Sequence, residues 1–336
     1  MTPPPTKSAP HSLDDKVASA ISWLKRHSTK RTLDGMARYA IPSDNAFGVS
    51  VSDIRVLGKR LGQNHELAAA LWDTGWYEAR MLTSFVDEPA RVTPAQMDRW
   101  CRDFDNWAIC DTLCFHLFDR TPHAWGKVTQ WSSKRDEFGK RAAFALLWAL
   151  TVHDKHADDD RFVQGLRLIE RAADDDRNFV KKAVNMALRA IGKRNPALNA
   201  AAVTVARRLA DSPQAAARWV GKDALRELTS PAVTRRLGPP MITPGSQSAT
   251  SVPQEHATDD ECDEPADVAP PLLSLHSAQQ PQHPVDQQDP AEEQFGQRPQ
   301  VAAPEGDRVG DPFPHGLASQ LLQNTSHCVL QSGTHK

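Results

Sequence analysis

Trp107 and Asp111 stand four residues apart in the string Asp105-Asn106-Trp107-Ala108-Ile109-Cys110-Asp111. With Asn106 as the cap of a helix, that spacing stacks an indole and a carboxylate on one face, one turn apart. The opposite side offers Ile109, Leu113 and Leu117 for packing. An aromatic and an acid sharing a face of a core-forming helix could be a reactive pair. They could equally be a core aromatic and an ion-pair partner for a neighbouring arginine. Arg141 opens the apolar run AAFALLWAL one interval further on. At the edge of an apolar stripe its guanidinium can snorkel, pair with Asp111 or reach a phosphate.

Basic residues accumulate beyond it, among them Lys181, Lys182, Arg189, Lys193, Arg194, Arg207, Arg208, Lys222 and Arg226. Lys182 and Arg189 are seven apart and share a helix face. Such residues read singly as a solvated face, and together as a stripe that follows a phosphate backbone.

Other clusters carry less. Cys110 and Cys114 are one turn apart, with Cys101 and His116 nearby, but no CxxC string accompanies them. They read as buried thiols, and no metal site is expected. Asp158 to Asp160 and Asp174 to Asp176 each precede a helix that starts with Arg, where carboxylates cap the N-terminus. His153 and His156 fall in a polar connection and are expected in solvent. No GxGxxG or GxxxxGK[ST] string supports dinucleotide or P-loop chemistry.

The elements that position these residues are helical throughout. Leucines and valines recur at helical spacing, and no stretch alternates long enough for a half-buried strand. Ser52-Asp53, Thr93-Pro94, Asp105-Asn106, Asn195-Pro196 and Ser212-Pro213 read as helix starts. A weak repeat runs through the helices. Arg80, Asp111, Arg141, Lys182 and Lys222 follow at intervals of 31, 30, 41 and 40 residues, each beside or within an apolar helical stretch. That is the pattern of an all-α solenoid of paired helices with one helix of each pair lining a concave face. An irregular helical bundle is the other reading.

Of 336 residues, 40 are basic and 42 acidic, a net charge of −2. The total hides a division. Residues 1–240 carry 37 Lys and Arg against 28 Asp and Glu, a balance of +9, and contain all nine Trp. Residues 241–336 carry 3 against 14, a balance of −11, with 12 of the 25 Pro. The first part can build a core and the second cannot. The expected organisation is a flexible segment 1–11, a helical-repeat domain 12–238 and a disordered acidic Pro/Gln-rich tail 239–336. The longest apolar run, Ala142 to Val152, has 11 residues, short of the roughly 20 that span a bilayer. With no apolar leader and five Cys, a cytoplasmic chain without a membrane partner is expected.

Four strings, FGVSVSDIRVLGKRL, DNWAICD, KRAAFALL and FVKKAVNMALRAIGKRNP, occur in this order across roughly residues 30–237. In them the chain resembles the AlkD-like DNA alkylation repair proteins, bacterial DNA glycosylases built from HEAT-like helical repeats. The resemblance implies a HEAT-like αα-repeat solenoid with a concave basic face. It further implies excision of N3- and N7-alkylated purines from double-stranded DNA by a monofunctional glycosylase without a lyase step. Neither a metal nor an organic cofactor is implied. The protein would act as a monomer, in the cytoplasm with the nucleoid.

That chemistry suits the residues. Alkylation leaves a positive charge on the purine, so the base departs readily without a general acid. The remaining barrier is positive charge on the deoxyribose, which a fixed carboxylate stabilises while holding the attacking water. In the family a Trp and an Asp four residues later do this, and Trp107 and Asp111 fall on both positions. The family's DNA-contacting Arg falls on Arg141. Lys182, Arg189, Lys193 and Arg194 are expected along the DNA backbone. Similar enzymes are thought not to extrude the base into a pocket, so no deep cavity is expected. One departure stands out: a second Trp common in the KAVNxALR helix is replaced by Met186, which lacks the indole's quadrupole and rigidity. The alternative is therefore a non-catalytic HEAT-repeat protein that binds damaged or structured DNA.

Overall fold

Short polar side chains write the helix starts in this chain. Ser12, Thr29, Ser50, Asn64, Thr93, Asn106, Asp136, Asn195 and Ser230 each accept a hydrogen bond from a first-turn backbone N–H. Each satisfies a donor that the helix itself leaves unpaired. The computed structural model describes residues 12–238. The expected segments 1–11 and 239–336 lie outside the described residues.

Among the described residues the regular structure is helical, with no strand. The α-helices are α1 (Leu13–Arg26), α2 (Lys30–Met36), α3 (Val51–Leu61), α4 (His65–Asp73) and α5 (Tyr77–Val86). They continue with α6 (Pro94–Arg102), α7 (Trp107–His116), α8 (Ala124–Trp131), α9 (Glu137–His153) and α10 (Asp159–Ala172). The last four are α11 (Asn178–Gly192), α12 (Pro196–Ala210), α13 (Ala215–Leu228) and α14 (Pro231–Leu237). Two single 3₁₀ turns, Ala37–Tyr39 and Phe118–Arg120, complete them.

The helices form a two-layer repeat. In one layer α3, α5, α7, α9, α11 and α13 pack each against the next. In the other, α4 covers α5, α6 and α8 cover α9, α10 covers α9 and α11, and α12 bridges α11 and α13. Arg80, Asp111, Arg141, Lys182 and Lys222 fall one on each of α5, α7, α9, α11 and α13. The sequence periodicity therefore marks one layer of a paired-helix solenoid, as expected, and excludes the irregular bundle.

The core runs between the layers. Trp72 of α4 stacks on Trp100 of α6 at 4.4 Å between ring centroids, and Trp131 of α8 packs edge-on to Phe118. Indole N–H groups at this boundary reach carboxylates, Trp72 to Asp103 and Trp131 to Asp98, both at 2.8 Å. Burying an indole this way keeps its one donor satisfied. α7 sits between α5 and α9 with all ten residues buried, as a helix apolar nearly all round must be. At Gly221 a Cβ would come within 2.2 Å of the Ala210 nitrogen, so only glycine lets α13 lie this close to α12.

Several expectations shift by a few residues. α3 starts from Ser50 rather than Ser52-Asp53, because Ser50 Oγ accepts from the Asp53 N–H. α13 starts after Gln214, and Ser212 Oγ instead accepts the Gln214 N–H in the preceding turn. Asp175 does not cap α11. It pairs with Arg177 and Lys140 at 2.6 and 2.9 Å, and Arg177 chiefly draws its carboxyl down to about 2. Asp158 sits at the N-cap of α10 without a side-chain cap bond, and that helix begins with Asp159, not Arg161. His153 is not in solvent. It ends α9 and bonds the buried Asp119, whereas His156 is exposed. Among the described residues no helix is long and apolar enough to cross a membrane.

Candidate active site

Asn106 places the pair that the sequence singled out. Its side-chain oxygen accepts from the Ala108 and Ile109 N–H groups at 3.0 Å each, which starts α7 at Trp107. The Trp107 indole donates to the Tyr39 carbonyl at 2.8 Å and is fixed by that bond. One turn on, Asp111 is 3 % exposed and meets Arg141 of α9, also 3 % exposed. Arg141 Nε donates to one carboxylate oxygen at 2.9 Å and Nη2 to the other at 2.6 Å. The third guanidinium nitrogen donates to the Phe179 carbonyl of α11 at 2.8 Å. Burial works against the arginine charge, but Asp111 more than offsets it and the Arg141 pKa stands above its ordinary value.

A cleft of about 540 Å³ opens over this carboxylate. Trp107, Asp111 and Met81 belong to its buried lining, while Val51, Val56 and Lys59 of α3 form exposed parts. Tyr39, Tyr77 and Arg55 also line it. The recess is an open cleft, formed where α3 stands off from α7.

Glu78, which the sequence reading did not single out, anchors that wall. Its fully buried carboxylate accepts from the backbone N–H groups of Phe47, Gly48 and Val49 at 2.7–3.2 Å. This clamps the segment that leads into α3. Gly48 has φ +84°, and a Cβ there would lie 2.7 Å from the Thr29 carbonyl oxygen, so glycine is required. The one signal in the sequence was an acid beside Ala79, Met81 and Leu82, on the buried side of α5. Arg55 extends from α3 to His116, where Nη2 and Nε2 lie 3.0 Å apart. Burial, then the charges of Arg55 and Arg120, push the His116 pKa down to about 3, so a neutral ring accepts the bond.

A model of the DNA alkylation repair enzyme family matches residues 20–228, which include this whole site. The chain belongs to that family. A solved protein is described as one of "a new family of proteins related to the HEAT-like repeat DNA glycosylases with affinity for branched DNA structures". It superposes on this family member with a TM-score of 0.54 at 19 % identity, over 63 % of this chain and 95 % of its own. That likeness establishes the HEAT-like repeat fold. Comparison with curated proteins gave no match.

The structure of this alkylation-repair family member brings Trp107, Asp111 and Arg141 together, while Arg189, Lys193 and Arg194 are engaged in contacts of their own. Met186 is half-buried on α11 and packs on the core, one turn from the half-buried Lys182. Arg189 pairs with Glu227 and lies 3.6 Å from Asp223. Lys193 pairs with Glu227 at 2.6 Å. Arg194 turns back to the end of α9, donating to the carbonyls of Thr151 and Asp154 at 3.0 and 2.9 Å, with its guanidinium over Phe162. Lys193 and Arg194 line a different cavity of about 490 Å³, at the C-terminal ends of α9 and α11. Cys101, Cys110 and Cys114 are buried, and the latter two face the carbonyls of Phe138 and Ala142.

Proposed function

We propose that this protein is a monofunctional DNA glycosylase that hydrolyses the N-glycosidic bond of N3- and N7-alkylated purines in duplex DNA. One observation carries the reading: an ionised carboxylate, Asp111, is held rigidly at the floor of a cleft with an indole beside it. Each Asp111 oxygen accepts one Arg141 N–H and keeps a further lone pair. Those lone pairs can orient a water and face a sugar whose charge grows as the bond breaks. Trp107 offers its ring to the same cationic centre, an attraction of about 0.5–2 kcal/mol.

In the reaction Asp111 stabilises the oxocarbenium-like sugar and positions the water, which attacks the anomeric carbon and releases its proton to solvent. The alkylated purine leaves as a neutral base, so no protein acid is required. Arg141 touches Asp111 rather than the substrate in this arrangement, and so acts as a positioning residue. In this reading Lys182 and Met186 run along the DNA next to it, and the chemistry calls for no cofactor. Release of methylated purines from treated duplex DNA by the wild type, and its loss in Asp111→Asn, tests the reading. A second reading, non-catalytic binding of structured DNA, has Met186 in its favour, because the second indole is missing.

A further inference from the structure

Four large apolar side chains are exposed among the described residues: Leu13, Val51, Val56 and Trp219. Two of them line the Asp111 cleft. Trp219 is the aromatic member, 40 % exposed, and lies on α13, two helices along the same layer from Arg141. An indole left this open forgoes a large share of the burial free energy that its size offers.

Its surroundings are cationic. The Lys181 ammonium of α11 stands 5.4 Å from the Trp219 ring centroid. Lys222 lies three residues on, on the same side of α13, and is exposed. Among the described residues neither lysine forms an ion pair. The two carboxylates of α13 are otherwise engaged. Asp223 takes Arg226 and the Asn185 amide, and Glu227 takes Arg189 and Lys193. The charge left facing outward around Trp219 is therefore positive, while Arg189, Lys193 and Arg226 on the more C-terminal part of α11 and α13 are ion-paired.

We propose that Trp219, Lys181 and Lys222 form a second DNA contact, in which the indole stacks on an unpaired base and the two ammonium groups take the flanking phosphates. The proposal rests on the DNA-binding reading above and adds a preference for DNA with exposed bases. Charge complementarity selects a nucleic acid over an acidic-patch-free protein partner. The shared helix layer makes the contact continuous with the Asp111 site. An aromatic flanked by lysines is the arrangement that binds single-stranded segments without regard to sequence, because every base has a face to stack and every link a phosphate.

The test is fluorescence-anisotropy titration of the full chain with two labelled DNAs of equal length, an intact duplex and one with a short unpaired gap. Wild type should favour the gapped DNA. Trp219→Ala should bind it about tenfold more weakly and bind the intact duplex as before, and Trp219→Phe should retain most of the preference. Lys222→Glu should weaken both and lower the salt slope by about one. Base release under saturating protein should be unchanged in Trp219→Ala. Equal affinities of Trp219→Ala and wild type for gapped DNA, or an equal loss on both DNAs, would overturn the proposal while leaving the glycosylase reading intact. A wild type that binds neither DNA would overturn both.

Discussion

Asp111 and Arg141 are 30 residues apart in the chain, yet join adjacent helices through a buried two-point ion pair at the floor of the cleft. The arginine reaches a third helix through the Phe179 carbonyl, so one side chain fastens α7, α9 and α11. A buried pair of this kind costs desolvation on both sides and adds little net stability. What it secures is an ionised carboxylate in one orientation. A fixed negative charge is what a developing sugar cation requires, and water-exposed carboxylates supply it less effectively.

Removing the arginine should therefore harm both fold and chemistry. Arg141→Ala leaves a buried carboxylate uncompensated, a loss of about 3–5 kcal/mol, visible as a lower denaturation midpoint. Arg141→Lys keeps the charge but not the fork. It should fold and release base more slowly at saturating protein, while its affinity for alkylated duplex stays close to that of wild type. A release rate equal to that of wild type would remove the positioning role.

Glu78 makes the wall of the cleft, so its loss should be structural first. Glu78→Ala strands three buried backbone donors. The expected destabilisation is about 3 kcal/mol or more, read by chemical denaturation. Faster hydrogen exchange should appear at the Phe47, Gly48 and Val49 amides.

Acid should unfold the protein partly through His116. Its pKa falls from 6.5 to about 3 on folding, so the unfolded chain binds the extra proton between these values. The stability is fully present above about pH 6.5. It is lost as pH falls toward 3, at up to about 1.4 kcal/mol per pH unit. Denaturation midpoints across this range should show a shallower slope in His116→Gln. An unchanged slope would place the acid sensitivity elsewhere.

Met186 sits where the resemblance to the AlkD-like proteins leads one to expect a second indole. Restoring it by Met186→Trp should tighten binding to alkylated over unmodified duplex by about tenfold or less, the scale of one aromatic contact. Competition titration with the two duplexes measures this directly.

How far the sequence disclosed the structure depended on distance along the chain. Thr93, Asn106 and Asn195 were readable as caps because the bond they make closes within three residues. The 30–41-residue recurrence of charged residues was readable because each repeat places its residue on an equivalent helix. Ser52 misled because Ser50, two residues earlier, has Asp53 at the bonding position. The cleft was hidden, since it needs α3 held off α7 by Glu78 through contacts about 30 residues away. That Arg189, Lys193 and Arg194 already have partners was not readable, because those partners, Glu227 and the α9 carbonyls, lie 34–43 residues off. Charge signs are visible in a sequence, but which charges are already taken is not.

The most direct measurement is single-turnover release of N3-methyladenine and N7-methylguanine from alkylated duplex DNA, with wild type and Asp111→Asn compared at saturating protein. Asparagine keeps the shape of the side chain and removes its charge, and circular dichroism of the variant controls for folding. The account predicts release by the wild type and a fall of about two orders of magnitude or more in the variant. Equal rates from the two proteins, or no release by a wild type that binds the DNA, would contradict it.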